Sequence, residues 1–552
     1  ALAQPYLKNT ILVRIKNFTL DNTKLDQILS DENAYIERRI LPLKASIRYN
    51  TQTLYKASNS PQLEARLKAE EPLLRTYVIG YKGDKDPEKF CYYLSKKYSE
   101  IEIAEPYYLQ KIQAYTPNDS RVSSQETILK QIRAKEAWEI EKGDSNIVIG
   151  ISDNAIQQTH PDLKNNIATN VKEKLSGNDD DGNGYIDDYQ GYNFDGGTKG
   201  EFYWDTFANS TDNHGTFTSG IAGADFDNNL GVAGIGGRSK IFPIRISSKD
   251  IGDRYTAYGY ESIIYAGVRK FKVLNCSWGL EKRYSAIEQS IIDYAVANDV
   301  AIVASAGNLE SGQGTMTKFY PAGYKGVLGV GVVTNTDGEA SISSLGSHCR
   351  IMSPASGNYT TDLDFEQDNP YSFTTLYTSF SAPVVSGAVA IARAKYPKLN
   401  AIQAIEFVRQ STDDISDKRF DYKRIVPGRL NMLKMVTTDP MSIPGIVIDD
   451  VKFYDNTGAE QNRFFLGDTV FVELNIRNVL GNANGLNFNL SLADPEFKVI
   501  DVLDSSRNNI SLTTNESMTL GKFEYVIANQ YDGNLTMRLD IKGKDGYKDF
   551  LL

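Results

Sequence analysis

An α/β fold with a mostly parallel sheet between helix layers is predicted for the middle of this chain. Short continuous apolar runs recur at residues 146–151, 241–246, 272–276, 300–306 and 327–333, with helical periodicities between several of them. A run that is apolar on both faces marks a strand covered on both sides, which is what crossover helices produce. The pattern changes at either end, setting off a mixed α+β unit over residues 1–116 and an all-β unit over 441–552, with the α/β unit over 117–438. A chain of 552 residues has room for two to four such domains, each with its own core.

Composition narrows the function class. Lys and Arg number 60 against 70 Asp and Glu, a net charge of -10 with no offsetting basic block, which argues against a nucleic-acid partner. No apolar run approaches the length of a transmembrane helix. Cys91, Cys276 and Cys349 are far apart and odd in number, so neither a disulfide framework nor a Cys-based zinc site is expected. The opening Ala1-Leu2-Ala3-Gln4 has the small-x-small form of a signal-peptidase site, pointing to a secreted or cell-surface protein.

In the first unit, residues 75–81 and 101–104 have strand patterns. Asp86-Pro87 starts a helix whose stripe is Phe90, Tyr93, Leu94 and Tyr98. The Lys/Glu-rich residues 56–71 predict a solvated helix. The middle unit is expected to carry helices at 125–138, 285–298, 379–396 and 401–410. In the last unit Val470, Val472, Leu474 and Ile476 alternate with more polar positions, as do Leu486, Phe488, Leu490 and Leu492, and Leu535, Met537, Leu539 and Ile541. This period of two predicts a β-sandwich of roughly 110 residues, immunoglobulin-like in size.

One stretch organises the chemistry. In Tyr377-Thr378-Ser379-Phe380-Ser381-Ala382-Pro383 a serine precedes a proline by four residues and opens a run of small apolar residues, which places it in the first turn of a buried helix. A serine nucleophile there needs a base and an orienting carboxylate. Of three histidines, His214 opens a small-residue stretch through Gly223, and His160 sits in His160-Pro161-Asp162-Leu163. Asp153 lies just past the first buried strand, where open α/β sheets place ligand-binding groups.

In that order the stretches around Asp153, His214 and Ser379 resemble the motifs of the subtilisin family of serine endopeptidases. Asn275-Cys276-Ser277-Trp278-Gly279 is similar to the family's substrate-pairing strand, and Ala304-Ser305-Ala306-Gly307-Asn308 to the strand ending in its oxyanion asparagine. The resemblance implies a subtilisin-like fold. It makes Ser379 the nucleophile, His214 the general base and Asp153 its orienting partner, with Asn308 and the Ser379 N–H meeting the developing oxyanion. It implies a polypeptide substrate bound along Ser277, Trp278 and Gly279, with Phe319 or its neighbour at the floor of a shallow or apolar pocket that disfavours large basic side chains. His160 becomes a structural histidine. The N-terminal unit becomes a propeptide that aids folding, inhibits the site and is cut off between about residues 111 and 120, making the chain a zymogen. Two departures from the family pattern are Tyr377 where glycine is usual and Asn154-Ala155 where Ser or Thr and then Gly are usual. The alternative is a non-catalytic binding or surface protein whose cleft Tyr377 closes.

The segment from Asp179 to Asp188 follows a calcium-loop pattern, with candidate ligands Asp179, Asp181, Asn183, the Tyr185 carbonyl and Asp187, or Asp188 in its place. A structural Ca²⁺ is the expected cofactor, and the chemical step itself requires no metal.

Overall fold

The computed structural model describes residues 6–17, 23–43, 61–108, 115–196, 213–247, 256–281, 283–311, 313, 316–363, 369–418, 426–493, 499–529, 535–544 and 546–552. The Ala1-Leu2-Ala3-Gln4 opening lies outside them. The chain divides into two compact units, Ala1–Ile112 and Gln113–Leu552.

The first unit is a four-stranded antiparallel sheet in the spatial order Ala34–Arg39, Thr76–Tyr81, Tyr6–Ile15, Ile101–Tyr108. Helix Pro87–Lys97 starts as expected, with the Asp86 carboxylate accepting the Lys89 N–H and proline in the first turn. Its Phe90 and Leu94 join Leu25 and Leu29 of helix Thr23–Asp31 over the inward side chains Ile11, Val13 and Ile79.

The second unit is built on a nine-stranded sheet. From one edge it runs Thr412–Asp413, Arg429–Leu430, Ile351–Pro354, Val327–Val333, Ala301–Ser305, Val273–Cys276, Val148–Asp153, Lys240–Arg245, Tyr192–Asn193. All pairings are parallel except the first. Strands Val273–Cys276, Ala301–Ser305 and Val327–Val333 are buried at every position, which is why they read as unbroken apolar runs. After Val148–Asp153 the chain first builds outward on one side and then returns to build on the other. Asp153 therefore stands at the carboxyl end of the strand where the order reverses, the crevice that open α/β sheets use for ligands.

Residues 125–138 do not form one helix. Helices Glu126–Gln131 and Ala134–Trp138 are separated at Arg133, whose backbone is left-handed at φ 59°. The break frees the Ile132 carbonyl to accept the Met432 N–H at 2.8 Å, and it buries Trp138, whose indole N–H reaches the Ile235 carbonyl at 3.3 Å.

Two four-stranded antiparallel sheets follow. Strand Thr469–Asn478 alternates buried and half-buried positions, and Val470, Val472, Leu474 and Ile476, with Phe523 of the paired strand beside them, share one core with Phe488, Leu490 and Leu539 of the other sheet. These sheets are joined to the parallel sheet by continuous packing, since Val479 and Leu480 belong to the same buried cluster as Phe407 and Val408 of helix Ala401–Gln410. Glu406 and Arg409 of that helix form an ion-paired group with Arg350 and with Asp549 of the last strand.

Candidate active site

Asp153, at the end of its strand, is almost fully buried, so its charge must be met by hydrogen bonds. Its Oδ1 lies 2.7 Å from His214 Nδ1 and accepts the Asn154 N–H at 2.8 Å, while Oδ2 accepts from Thr218 Oγ1 at 3.0 Å. The carboxylate thus fixes the imidazole with its proton on Nδ1 and leaves Nε2 for other work. His214 is the first residue of helix His214–Gly223 and its side chain is one-third exposed. No side-chain cap comes from Asn213. Instead the Asn154 Oδ1 accepts the Gly215 N–H at 2.9 Å, tying the helix start to the strand that carries Asp153. Gly215 allows that approach, because a Cβ there would sit 2.0 Å from the Ala155 carbonyl oxygen.

Ser379 is the second residue of helix Thr378–Lys395. Phe380 brings this helix to the histidine helix, its ring 5.4 Å from the imidazole and 5.8 Å from Phe217. Pro383 has no N–H to offer the Ser379 carbonyl one turn back. The Ser277 hydroxyl takes over, donating to that carbonyl at 2.7 Å, and itself accepts from Asn275 Nδ2 at 2.9 Å. Ser277 is therefore buried with its hydroxyl committed to the serine helix, and what it can present to a substrate is backbone. Tyr377, the residue before the helix, has φ −122° and ψ 147°, an extended conformation open to any side chain, and its side chain is exposed.

Asn308 follows the Ala301–Ser305 strand. Its Oδ1 accepts both the Thr378 N–H and the Thr378 Oγ1–H at 2.9 Å, which determines the amide orientation and leaves the NH₂ end as the donor on the other side of the amide. Gly307 has φ +104°, and its α-carbon lies against the Phe319 ring, where a Cβ would come within 2.3 Å. Phe319 is buried, on the short strand Phe319–Tyr320 that pairs with Leu280–Glu281. Gly279, between that pair and Ser277, is exposed. Trp278 donates its indole N–H to Ser152 Oγ at 2.9 Å, and its ring lies against Gly259.

The other two histidines are held in the interior. His160 Nδ1 accepts the Asp162 N–H at 3.1 Å and Nε2 lies 3.0 Å from the Pro370 carbonyl oxygen. His348 Nε2 lies 3.0 Å from the Ala306 carbonyl oxygen behind Asn308, and burial pushes its imidazole down to about 4.

The acidic loop divides. Glu173, Asp181 and Asp188 bring carboxylate oxygens within 4.8 Å of one another. Asp187 instead turns back, at φ 56°, to accept the Ser176 and Gly177 N–H groups, and Asp179 accepts those of Asn183 and Gly184. The Asn183 side chain donates to Asp188 Oδ2 at 3.0 Å, and the Tyr185 ring packs among Tyr192 and Tyr265. Glu173, six positions before Asp179, falls outside any template of the loop itself. Thr218 carries no signal in the linear sequence beyond standing one helical turn past the histidine.

Comparison with known proteins gives the class. A model of the subtilase family matches residues 144–423, and the chain belongs to that family. It is a serine-type endopeptidase and acts on polypeptides. Among its relatives, the thermophilic serine proteinase of Bacillus sp. (strain AK1) is 28% identical over 338 residues, 61% of this chain and 73% of the relative. Subtilisin DY of Bacillus licheniformis is 29% identical over 283 residues, 51% of this chain and 89% of the relative. Thermitase of Thermoactinomyces vulgaris is 28% identical over 322 residues, 58% of this chain and 99% of the relative. Among the described residues no helix is long and apolar enough to cross a membrane.

Proposed function

We propose that Ser379, His214 and Asp153 form the catalytic triad of this endopeptidase, and that the Asn308 amide and the Ser379 N–H receive the oxyanion. The 2.7 Å bond from His214 Nδ1 to Asp153 Oδ1 carries this reading. It sets the tautomer in which Nε2 accepts the proton of Ser379 Oγ as that oxygen attacks the scissile carbonyl. The same proton passes to the departing amine, and a water then repeats the sequence to release the acyl group. Asn308 contributes because its carbonyl is already spent on Thr378, so its N–H bonds await only the charge that develops in the transition state. The extended backbone and outward side chain of Tyr377 favour this reading over a closed, non-catalytic cleft. A fluorophosphonate probe tests it: the label is expected on Ser379, and an unlabelled or differently labelled folded protein contradicts the assignment.

The substrate strand lies along Ser277, Trp278 and Gly279, and the Phe319 ring against Gly307 forms an apolar floor for the residue preceding the scissile bond. Cleavage of a peptide library is expected to favour apolar residues there, and dominance by Arg or Lys contradicts it.

The N-terminal unit acts as a propeptide that assists folding and blocks the site, so the chain is a zymogen. Within the stretch expected to be cut, residues 111–114 lie outside the described residues. Residues 115–121 are strapped to the loop that follows the histidine helix, through Tyr115 to Asp227, Asn118 N–H to Asp227 Oδ1 and Arg121 N–H to the Gly231 carbonyl. A strapped segment does not thread a cleft without local unfolding, which supports a cut on the N-terminal side of Tyr115.

A structural Ca²⁺ fits the acidic loop. Glu173 is buried and, among the described residues, its Oε2 has no hydrogen-bond partner. Arg269 neutralises one charge through Asp188 at 2.6 Å, so among the described residues the three carboxylates keep two uncompensated negative charges. Burial and the neighbouring Asp188, Asp181 and Asp180 push the Glu173 carboxyl upward, a cost that a divalent cation removes. Glu173, Asp181 and Asp188 supply the carboxylates, between which Asn170 Nδ2 bridges Asp181 Oδ2 and Asp188 Oδ1 at 2.9 and 2.7 Å, while Asp179, Asn183 and Asp187 turn oxygens to backbone N–H groups. Chelation is expected to lower the melting temperature, since an ion at a hundredfold excess over its Kd contributes about 2.7 kcal/mol. Glu173→Gln is expected to abolish most of that difference, and equal melting with and without chelator contradicts the site. A calcium requirement suits a secreted or cell-surface enzyme, because weak sites fill where free calcium is high.

A further inference from the structure

We propose that Thr218 is a positioning residue that fixes the plane of the Asp153 carboxylate, an inference that rests on the triad reading. Thr218 stands one turn along the helix from His214 and is fully buried. Its Oγ1 lies 3.0 Å from Asp153 Oδ2 and 3.1 Å from the Gly215 carbonyl oxygen, and it has one proton to give. The Gly215 carbonyl already accepts the Ser219 hydroxyl at 2.7 Å. A hydrogen bond to a buried carboxylate is stronger than one to a neutral carbonyl, so the proton goes to Asp153.

The two oxygens of Asp153 are held by different groups. Oδ1 receives the His214 ring and the Asn154 N–H, while among the described residues Thr218 supplies the hydrogen bond to Oδ2. The last torsion of an aspartate is broad and soft. A carboxylate gripped at one oxygen can swing about its Cβ–Cγ bond, and the imidazole at 2.7 Å swings with it. With Oδ2 gripped as well, the lone pair facing Nδ1 keeps its direction through the proton transfers. The same helix carries both His214 and Thr218, so one rigid element holds the base and locks its orienting partner. Thr218 touches no reacting atom, and its effect passes entirely through Asp153.

The test uses the mature enzyme, freed of the N-terminal unit after folding, with turnover normalised to active sites titrated by a fluorophosphonate. Thr218→Val keeps the shape and removes the hydroxyl, and its kcat is expected to fall about tenfold with KM changed by less than about twofold. Thr218→Ser restores the donor and is expected to recover most of the loss. A Thr218→Val enzyme with unchanged kcat overturns the proposal, as does an equal loss in both variants, which marks a packing role. If Thr218→Val does not fold, Thr218→Ala is compared with Thr218→Ser by the same criteria. Asp153→Asn is measured alongside. Full turnover in that variant removes the triad reading itself, whereas an inactive Asp153→Asn beside an unaffected Thr218→Val removes only the part assigned to Thr218.

Discussion

A Ser379→Ala chain is expected to lose peptide-bond hydrolysis by about 10⁶-fold, the scale seen when one member of a triad that acts as a unit is removed. The loss is in kcat, because the substitution leaves the helix, the Ser277 bond to the residue 379 carbonyl and the Asn308 amide in place. Alanine is a strong helix former and the position is the second of its helix, so folding is expected to survive. The same variant reports on maturation. If the enzyme removes its own N-terminal unit, the Ser379→Ala chain stays uncut, and mass spectrometry of the active enzyme finds a first residue at or before Tyr115. Hydrolysis at the parent rate in this variant ends the assignment of the nucleophile, and normal cutting assigns maturation to another protease.

Asn308→Ala is expected to lower kcat by about 10²- to 10³-fold with little change in KM, since the donor engages charge present in the transition state and absent from the bound substrate. Part of the loss has a second origin. The Asn308 Oδ1 accepts both hydrogen bonds that Thr378 offers, so its removal also loosens the first residue of the serine helix. Asn308→Asp separates the two effects, because a carboxylate still accepts from Thr378 and offers no donor to the oxyanion. Comparable losses in the two variants assign the effect to the missing N–H. A much smaller loss in Asn308→Asp assigns it to the anchoring of Thr378, and kcat at the parent level in both contradicts the oxyanion role.

What could be read from the sequence followed from how far each feature depends on neighbours in the chain. The buried strands were legible because a strand covered on both faces must be apolar throughout, and Val327–Val333 is found at the bounds its composition predicts. Helix Ala401–Gln410 was equally legible, with Asn400 and Gln403 forming a reciprocal cap at its start. The break at Arg133 was not, because Glu126 to Trp138 keeps helical spacing on paper and the carbonyl that ends the first helix is claimed by Met432, three hundred residues on. Nor could sequence spacing settle the acidic loop. Consecutive residues point in different directions, so Asp187 faces backbone N–H groups while Asp188 faces Asp181 and Glu173. The site shows the same division. Asp153, His214 and Ser379 stand in recognisable local patterns, whereas the roles of Thr218, of Asn154 as a cap supplied from another element and of the Ser277 hydroxyl arise only when distant segments meet.

The join between the parallel sheet and the two antiparallel sheets is pinned from both sides. The Tyr396 hydroxyl donates to the Thr438 carbonyl at 2.7 Å, and the Gly481 and Val479 N–H groups bond the Ile443 and Gly445 carbonyls at 2.8 and 2.7 Å. Val479 and Leu480 lie beside it in the shared core. A peptidase works surrounded by copies of itself, and each copy cuts only what it can draw out as several consecutive free residues. Here the seam is held at the Thr438, Ile443 and Gly445 carbonyls with Asp439, Met441 and Ser442 exposed between them, so drawing this stretch into another copy's cleft requires those bonds to open first, and local opening sets the pace of self-digestion at this point.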